Sequence, residues 1–341
     1  KDVEQIIRAM RVANRAPFIV VTTNATLLTM DRYRSLRETG VDEISISLDY
    51  PDERHDDFRG IPGLFHKIEK LMLGLDGHKN KCIALSCVIQ SDNFRLLPQM
   101  AELAKNIVCK HNKRKYYRFR PSKFYGGIST ADCVGCCLRC VFCWSWRETT
   151  RPEKFGDFYS PEEVARRLVT IAKRKKLRQL RISWNEPTIC RNHLLSVLEL
   201  IPRDYVFILE TNGILIGNDP TYAKELSRFS NLYVRVSLKG TCGDEFSRLT
   251  GAIPEGFQLQ LKALEYLYNC GVNVHPACMI SFSPHKNIMS LRERLKKINP
   301  EFEDFEVEEV ILYPSVEERL KKLNVDYMKG HKPDNIPGSL I

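Results

Sequence analysis

Apolar residues recur along the chain in short runs, and amphipathic stretches of about ten to fifteen residues separate them. In the C-terminal two thirds, the runs that predict strands lie near 125–130, 178–184, 205–211, 232–238, 272–280 and 306–313. The stretch 160–175 predicts a helix, because Ser160 can cap its first turn and Pro161 suits the first helical position. Strands that alternate with helices in this way are typical of parallel βα units. Six such units predict an α/β fold, an open or closed barrel.

The same order of elements occurs a second time, nearer the N-terminus. Three pairs of predicted strands correspond, namely 18–28 with 205–215, 41–49 with 231–239, and 81–90 with 271–280. A helix precedes the third strand in each copy, over 63–74 and over 256–270. The first copy lacks the two earliest units, so we expect its opening strands to lie before residue 1, in a longer protein.

This repeat predicts four parts of the chain. Residues 1–106 are an incomplete set of βα units, equivalent to strands three to five of a barrel. Residues 107–122 are a basic linker, and residues 123–314 hold the complete set of six units. A C-terminal helix and tail occupy 315–341.

Composition and charge narrow the class of protein. The chain has 341 residues, of which 43% are apolar and 28% charged, as in ordinary globular proteins. No run of about eighteen apolar residues predicts a membrane span. The net charge is +10, and eight basic residues without an acid lie between Lys105 and Lys123. Tyr116, Tyr117 and Phe119 interleave this strip, so nucleic-acid binding is conceivable, but a solvated linker is the favoured interpretation.

Cysteines supply the candidate chemistry. Five of the 12 lie between Cys133 and Cys143, and clustered thiols without a visible secretory leader indicate metal ligands rather than disulfides. Cys136, Cys140 and Cys143 are spaced so that each thiolate can take one iron of a [4Fe–4S] cluster, which leaves the fourth iron open.

Two other assignments of these cysteines stay open. Cys133, Cys137 and Cys140 have the same spacing, but Phe142 directly before Cys143 favours the later three. A structural zinc site would instead use the two C-x2-C pairs, 133–136 and 140–143. The remaining cysteines are scattered and are expected to be separate core or surface thiols.

The cysteine spacing, with Phe142 before its last member, resembles the signature of the radical S-adenosylmethionine (radical SAM) superfamily. Residues 183–188 (SWNEPT) resemble its Gly-Gly-Glu-Pro-Thr element, with Trp184 and Asn185 in place of the two glycines. Within 123–314, the segments 237–240 and 249–251 resemble glycyl-radical activating enzymes. Within 17–106, Thr-Thr-Asn and Ser-Leu-Asp resemble the molybdenum-cofactor-synthesis branch.

The resemblance implies a fold, two cofactors and a reaction. The fold is a radical SAM type partial (βα)6 TIM-like barrel, preceded by the incomplete second set of βα units. Cys136, Cys140 and Cys143 would hold the [4Fe–4S] cluster, and S-adenosylmethionine would bind its open iron. Reductive cleavage would give a 5′-deoxyadenosyl radical that abstracts hydrogen from an unidentified substrate. An external one-electron reductant and a cytoplasmic location are expected, and no membrane partner.

The expected cosubstrate contacts follow from the same resemblance. They are Phe142, Asn185, Glu186, Asn212, Ser237 and Lys239, with Arg235 as another partner for the methionyl carboxylate. Catalytic residues proper stay unassigned. Ser281 and Tyr313 also follow predicted strands, as do the cysteines, Glu186, Asn212 and Lys239. Active sites of parallel barrels form from the loops at those strand ends, so we expect these residues on one rim.

Three functions are therefore open. The first is a radical SAM enzyme of unknown substrate. The second is an RNA-modifying radical SAM enzyme that uses the basic strip. The third is a zinc-binding interaction module, which would need no cosubstrate.

Overall fold

The computed structural model divides into two compact units, Lys1–Ala104 and Lys105–Ile341, and each is described by itself. The predicted boundary between residues 106 and 107 lies outside the described residues. In the described part of the chain, no helix is long and apolar enough to cross a membrane. The described residues are 2–12, 18–75, 83–86 and 108–338.

The first unit contains a small parallel sheet with order β1-β2-β3. Its elements are α1 (Asp2–Val12), β1 (Val20–Thr23), α2 (Met30–Glu38), β2 (Glu43–Ser47), α3 (Arg54–Arg59), α4 (Leu64–Gly74) and β3 (Ile83–Ser86). Ile44 and Ile46 on β2 are fully buried in one core with Leu64 and Ile68 of α4. Alternate residues of β2 are half-buried, as the period of a strand predicts. Except for β3, the strand predicted over 81–90 lies outside the described residues.

The second unit is built on a larger sheet. Its strands are β4 (Cys109–Lys110), β5 (Lys113–Ser122), β6 (Ile128–Cys133), β7 (Asp157–Tyr159), β8 (Gln179–Trp184), β9 (Val206–Thr211), β10 (Leu232–Leu238), β11 (Asn273–Met279), β12 (Glu306–Glu308), β13 (Val310–Ile311) and β14 (Gly330–His331). Its helices are α5 (Trp146–Thr150), α6 (Pro161–Lys175), α7 (Arg191–Leu200), α8 (Ile214–Asn218), α9 (Pro220–Leu226), α10 (Gly243–Thr250), α11 (Gly256–Asn269), α12 (His285–Lys296) and α13 (Pro314–Lys322).

The sheet order is β12-β11-β10-β9-β8-β6-β5-β4, and β7 also pairs with β5. The six strands from β12 to β6 are parallel, as the alternation of strands and helices predicts. Leu232, Val234 and Val236 of β10 are at most 1% exposed, and α11 packs against this strand. Arg235 and Ser237 alternate with them and share the opposite, polar face. The sheet thus separates an apolar helix-covered side from a polar side.

The helix predicted over 160–175 begins as its sequence indicates. The Ser160 hydroxyl accepts a hydrogen bond from the Glu163 N–H, and the Glu163 carboxylate accepts one from the Ser160 N–H. This reciprocal capping is worth about 1 kcal/mol. Val164 and Leu168, fully buried, lie on the side of α6 that packs against β6 and β8.

The prediction of a basic linker over 107–122 is wrong. Most of this segment is β5, which pairs antiparallel with β6. Arg114, Lys115 and Tyr116 are at most 8% exposed, and the Lys115 ammonium donates to the Pro152 carbonyl at 3.0 Å. Arg114 and Lys115 thus have partners inside the protein, whereas Lys113 and Arg118 are exposed. Only part of the strip therefore has the exposed charge that the RNA-binding alternative requires.

The structure of the second unit also differs from three other sequence predictions. The strand expected near 125–130 starts at Ile128, because 124–126 forms a 3-10 turn in which Tyr125 has a φ of 56°. The strand expected over 306–313 is two strands, of which β12 pairs with β11 and β13 with β14. Cys109 and Cys190, expected as separate thiols, form a disulfide.

Candidate active site

The parallel strands end at one edge of the sheet, and the predicted site residues follow those ends. The cysteine loop begins after Cys133, where β6 ends. Glu186 and Asn212 directly follow β8 and β9, and Lys239 is the first residue after β10. Because neighbouring parallel strands point the same way, these loops lie beside one another. The observed strand ends therefore agree with the expected shared rim.

Backbone hydrogen bonds hold the cysteine loop against helix α10. The Arg139 N–H donates to the Thr250 carbonyl at 3.1 Å, and the Val141 N–H donates to the Leu249 carbonyl at 2.8 Å. Within the loop, the Cys143 N–H donates to the Cys140 carbonyl at 3.0 Å. The positions of the thiols are thus set by the main chain.

Arg319, which the sequence pattern did not single out, fastens the same loop from α13. Its Nε donates to the Val141 carbonyl and its Nη2 to the Cys143 carbonyl, both at 2.6 Å. The guanidinium also lies over the Trp146 ring, 4.5 Å from the centroid. One side chain from the far end of the chain therefore bridges both ends of the Val141–Cys143 segment.

The thiols of Cys136, Cys140 and Cys143 lie close enough to influence one another. Burial raises the pKa of Cys140, the Lys239 ammonium opposes that rise, and Cys143 and Cys136 add to it. Burial also raises the pKa of Cys143, with Cys136 among the charges that contribute. A hydrogen bond with Cys137 lowers the pKa of Cys136. These three cysteines thus share one electrostatic environment.

Cys133 lies in a different environment. It ends β6 fully buried beside the Arg114 guanidinium, and burial raises its pKa to about 11. Cys133 is not among the groups that act on Cys140 or Cys143. The alternative trio of Cys133, Cys137 and Cys140 is therefore less well grouped than the later one.

The three thiols suit a cluster better than a single ion. Among the described residues, no three His, Cys, Asp or Glu side chains lie close enough to hold one metal ion. A zinc site needs its ligands around one centre, whereas a [4Fe–4S] cluster takes each thiolate at a different iron. Neighbouring thiols at Cys136, Cys140 and Cys143, of which Cys140 is buried and the other two are half-buried, fit the donor set that such a cluster requires.

Lys239 and Asn212 face this group of thiols. The Lys239 ammonium lies 3.7 Å from the Glu308 carboxylate. Burial opposes its charge, but Glu308 and then Cys140 outweigh burial and raise the pKa of Lys239. The Asn212 amide nitrogen lies 3.3 Å from the sulfur of Cys137 and 3.8 Å from that of Cys136. A cation and a hydrogen-bond donor therefore border the cysteine loop.

Glu186 is committed to hydrogen bonds within the protein. Its carboxylate accepts from the N–H and hydroxyl of Thr188 at 3.2 and 2.6 Å, and from the Thr211 hydroxyl at 2.6 Å. It also accepts from the Asn212 N–H at 2.7 Å. A carboxylate has about four acceptor positions, two on each oxygen. Three of these donors are on Oε1 and only the Asn212 N–H is on Oε2. The carboxylate therefore joins the ends of β8 and β9, and Oε2 keeps one acceptor position.

Trp184 and Asn185 stand where the Gly-Gly-Glu-Pro-Thr element of the superfamily has two glycines. The Asn185 amide donates to the Cys133 carbonyl at 3.1 Å and accepts from the Thr149 hydroxyl at 2.5 Å, which ties α5 to β6. Trp184 has a φ of 83°, a backbone conformation that favours glycine. A bulky residue there costs about 1–2 kcal/mol. Trp184 therefore keeps the backbone path of glycine while adding an indole ring.

Arg235 and Ser237 belong to a polar network one step from the cysteines. Arg235 donates to both oxygens of Glu306, at 2.7 and 2.8 Å, and to Glu308 at 2.7 Å. Ser237 accepts from Arg235 at 2.7 Å and lies 3.1 Å from Glu308. The expected role of Arg235 as a carboxylate partner is not what this geometry shows, because its guanidinium is already paired.

The remaining predicted residues have structural contacts. Phe142 stacks on Phe282 with ring centroids 5.5 Å apart. Ser281 is buried, and its hydroxyl accepts from the Val310 N–H at 2.7 Å, which makes it a loop contact and not a ligand-facing group. Tyr313 packs edge-on against Trp144, the residue after the last cysteine, with centroids 5.6 Å apart.

Arg114 is a second residue that sequence reasoning missed. It is 1% exposed and donates to the carbonyls of Val134 at 3.2 Å, Glu186 at 2.9 Å and Pro187 at 3.2 Å. It therefore joins the start of the cysteine loop to the loop after β8. The density of cations in the strip was a signal, but nothing local distinguishes this arginine from its neighbours.

Residues 132–298 match the sequence model of the radical SAM superfamily. The AdoMet-dependent heme synthase of Oleidesulfovibrio alaskensis is 34% identical over 91 residues, which cover 26% of this chain and 23% of the relative. That of Methanosarcina barkeri is 33% identical over 92 residues, which cover 26% of each. The chain thus spans about a quarter of the length of the curated relatives it matches.

Distant structural likenesses were also found. Streptococcus suis SuiB bound to S-adenosylmethionine matches with a TM-score of 0.39 and 17% identity, over 79% of this chain and 60% of that chain. A spore photoproduct lyase matches with a TM-score of 0.42 and 12% identity, over 91% and 84%. Likenesses this distant add nothing to the functional assignment.

The parallel α/β sheet with a three-cysteine loop at its rim defines a cluster-binding enzyme domain. The domain that matches the radical SAM superfamily model spans residues 132–298, just under half of the chain. Enzymes of this superfamily use a [4Fe–4S] cluster and S-adenosylmethionine, and these are the cofactors of this domain.

Proposed function

We propose that Lys105–Ile341 is a radical SAM core of the partial (βα)6 barrel type, in which Cys136, Cys140 and Cys143 hold the cluster. Together with S-adenosylmethionine, the bound cluster supplies a 5′-deoxyadenosyl radical that takes hydrogen from a substrate. The observation that carries the proposal is the group of three neighbouring thiols, one buried and two half-buried, beside the Lys239 ammonium. An external reductant and a substrate are the partners this function requires.

Lys239 and Asn212 are the proposed cosubstrate contacts. The Lys239 ammonium, raised in pKa and beside Cys140, is charged at neutral pH and can meet a carboxylate. The Asn212 amide is the nearest uncharged donor to the cysteine loop. Glu186 and Asn185 serve as positioning residues, since their side chains hold Asn212 and α5 in place.

Apolar groups around the loop limit access of water and oxygen. Phe142 and Phe282 form a stacked pair, and both are at most 6% exposed. Trp144 and Tyr313 are also in edge-on contact, but each is more than a third exposed, so the phenylalanine pair provides the shielding. Shielding of this kind protects reactive species from competing hydrogen donors, which is the part a protein contributes to cofactor chemistry.

The test is anaerobic reconstitution of the full chain with iron and sulfide, followed by dithionite and S-adenosylmethionine. We expect wild type and the control Cys270→Ala, a half-buried cysteine outside the loop, to bind iron and sulfide and to form 5′-deoxyadenosine. Cys140→Ala should form none. Product from Cys140→Ala, or none from wild type carrying a full cluster, would contradict the proposal.

A further inference from the structure

A cavity of about 220 Å³ lies in the second unit, next to the cysteine loop. Its main lining residues are Arg118, Arg120, Phe124, Trp144, Trp184 and Tyr313. Trp144 directly follows Cys143, and Trp184 directly precedes the Asn185–Glu186 pair. The cavity therefore shares both its loops with the proposed cofactor site, yet none of its lining residues has a role in that proposal beyond shielding.

The cavity has a cationic end. Arg118 and Arg120 both bind one oxygen of the Asp132 carboxylate through their Nε atoms, so two positive charges share one negative charge. Neither uses its terminal amino groups in any hydrogen bond within the described part of the chain. A guanidinium presents those groups as a fork that suits a carboxylate or phosphate. The end of the cavity can therefore bind one anionic group.

The rest of the cavity is apolar, lined by aromatic rings and by the aliphatic side chains of Ile311 and Ile336. The Trp184 ring lies under both guanidinium groups, 4.7 Å from that of Arg118 and 5.9 Å from that of Arg120. Trp144 and Tyr313 form another wall. Flat π faces favour a planar ring in stacked or edge-on contact.

The backbone at Trp184 supports a role in binding. A bulky residue at a φ of 83° is strained, and strained residues persist mainly where the site uses them. Glycine would relieve the strain at this position but would remove one wall of the cavity. The retained indole is thus hard to explain by folding alone.

We propose that this cavity binds the substrate of the enzyme, and that the substrate carries a planar aromatic or conjugated ring with a carboxylate or phosphate. The acid lies on Arg118 and Arg120, and the ring lies against Trp184 and Trp144. A cavity of about 220 Å³ is below the roughly 300–1,000 Å³ typical of drug-sized ligands, so the bound ring system is small. The inference rests on the proposed function, because it takes the cysteine loop as the place of reaction.

Calorimetry on the reconstituted protein with S-adenosylmethionine already bound tests this chemistry. The probes are 3-phenylpropionate and phenyl phosphate as acidic rings, 3-phenylpropanol as a neutral ring, and inorganic phosphate as an acid without a ring. We expect an acidic ring to bind at least about tenfold more tightly than the two single-feature probes. The tighter of the two acidic rings identifies the acid. Equal affinity of the neutral ring, or no heat from either acidic ring, would overturn the inference.

Two variants locate the binding. Arg118→Gln should weaken the acidic ring about tenfold to a hundredfold and leave the neutral ring unchanged. The control Arg167→Gln removes an arginine that stacks on Phe119 and Tyr159 outside the cavity, and it should change neither affinity. Trp184→Gly should lose affinity for every ring while the protein stays folded by circular dichroism. Unchanged affinity in either cavity variant would refute the assignment.

The same samples separate this inference from the proposed function. If 5′-deoxyadenosine forms but no acidic ring binds, the cavity assignment fails and the radical SAM function stands. If the acidic ring binds and no cluster assembles, the proposed function fails and the cavity still recognises an acidic ring.

Discussion

Replacing Arg319 should loosen the cysteine loop without unfolding the domain. Its guanidinium donates to the Val141 and Cys143 carbonyls and lies over the Trp146 ring. Hydrogen bonds from a charged donor contribute about 1.5–3 kcal/mol each, and a cation–π contact about 0.5–1 kcal/mol. Because the side chain is half-buried, we take slightly less than the sum of the lower values, so Arg319→Met costs about 3 kcal/mol. Methionine keeps the apolar stem and removes only the charged head.

This free-energy cost destabilises the closed loop relative to its locally open form, because all three contacts are to the segment between Val141 and Trp146. A change of about 3 kcal/mol raises the population of the open loop by roughly a hundredfold. A chelator removes iron from the open form, so the rate of cluster loss to an iron chelator should rise at least about tenfold. The melting temperature of the domain should change much less.

A matched control and an independent readout make the result decisive. Arg294→Met removes a helical arginine that also has one hydrogen bond and one ring contact, to Gln258 and Phe257, away from the loop. It should leave cluster loss unchanged. In protein without a cluster, hydrogen exchange of the peptide spanning 134–145 should accelerate in Arg319→Met only. A rate of cluster loss within about twofold of wild type, with unchanged exchange, would refute the reasoning.

Three further predictions concern other parts of the second unit. Cys143→Ala should lose the iron and sulfide found on reconstitution, whereas Cys133→Ala should keep both, as measured by colorimetric assay. Glu186→Gln should lower the free energy of unfolding in urea by about 2 kcal/mol, because the amide cannot satisfy all four donors; the exposed control Glu265→Gln should stay within about 0.5 kcal/mol. Burial lowers the pKa of His193 to about 4 from 6.5. The unfolded chain therefore gains a proton first, and stability present above pH 6.5 falls by up to about 3 kcal/mol towards pH 4. Urea unfolding at several pH values should show this loss in wild type, and His193→Gln should lack that part of the slope.

The order of the elements was predictable because its signals are local. Each strand of the parallel sheet shows alternation within a few residues, as in 232–238, and the helix at 160–175 carries its own cap. The cysteine loop was predictable for the same reason, since its three thiols lie within eight residues of sequence. For this loop, the spacing of the cysteines along the sequence was enough to predict that their thiols lie near one another.

The partners of charged residues were not predictable in this way. Arg235 was expected to face a ligand, but it pairs with Glu306, 71 residues further along the chain. Glu186 was expected to meet an amine, and in the structure its carboxylate also accepts hydrogen bonds from Thr211 and Asn212 at the end of the next strand. Only the sheet register brings such groups together, and a single sequence does not state that register for side chains so far apart.

Strand β5 contains most of the basic strip, which its sequence wrongly predicted to be a linker. Along the sequence, the many cations of this strand resemble those of a solvated linker. In the structure, the pairing with β6 is irregular between Tyr116 and Arg118, and this irregularity changes which side chains face inwards. Before it, Arg114 reaches the carbonyls around the cysteine loop and Glu186. After it, Arg118 and Arg120 line the cavity. One antiparallel strand thus adds a buried cation, Arg114, to one region of the rim and two partly exposed cations, Arg118 and Arg120, to a neighbouring region. The six parallel strands alone would supply neither set.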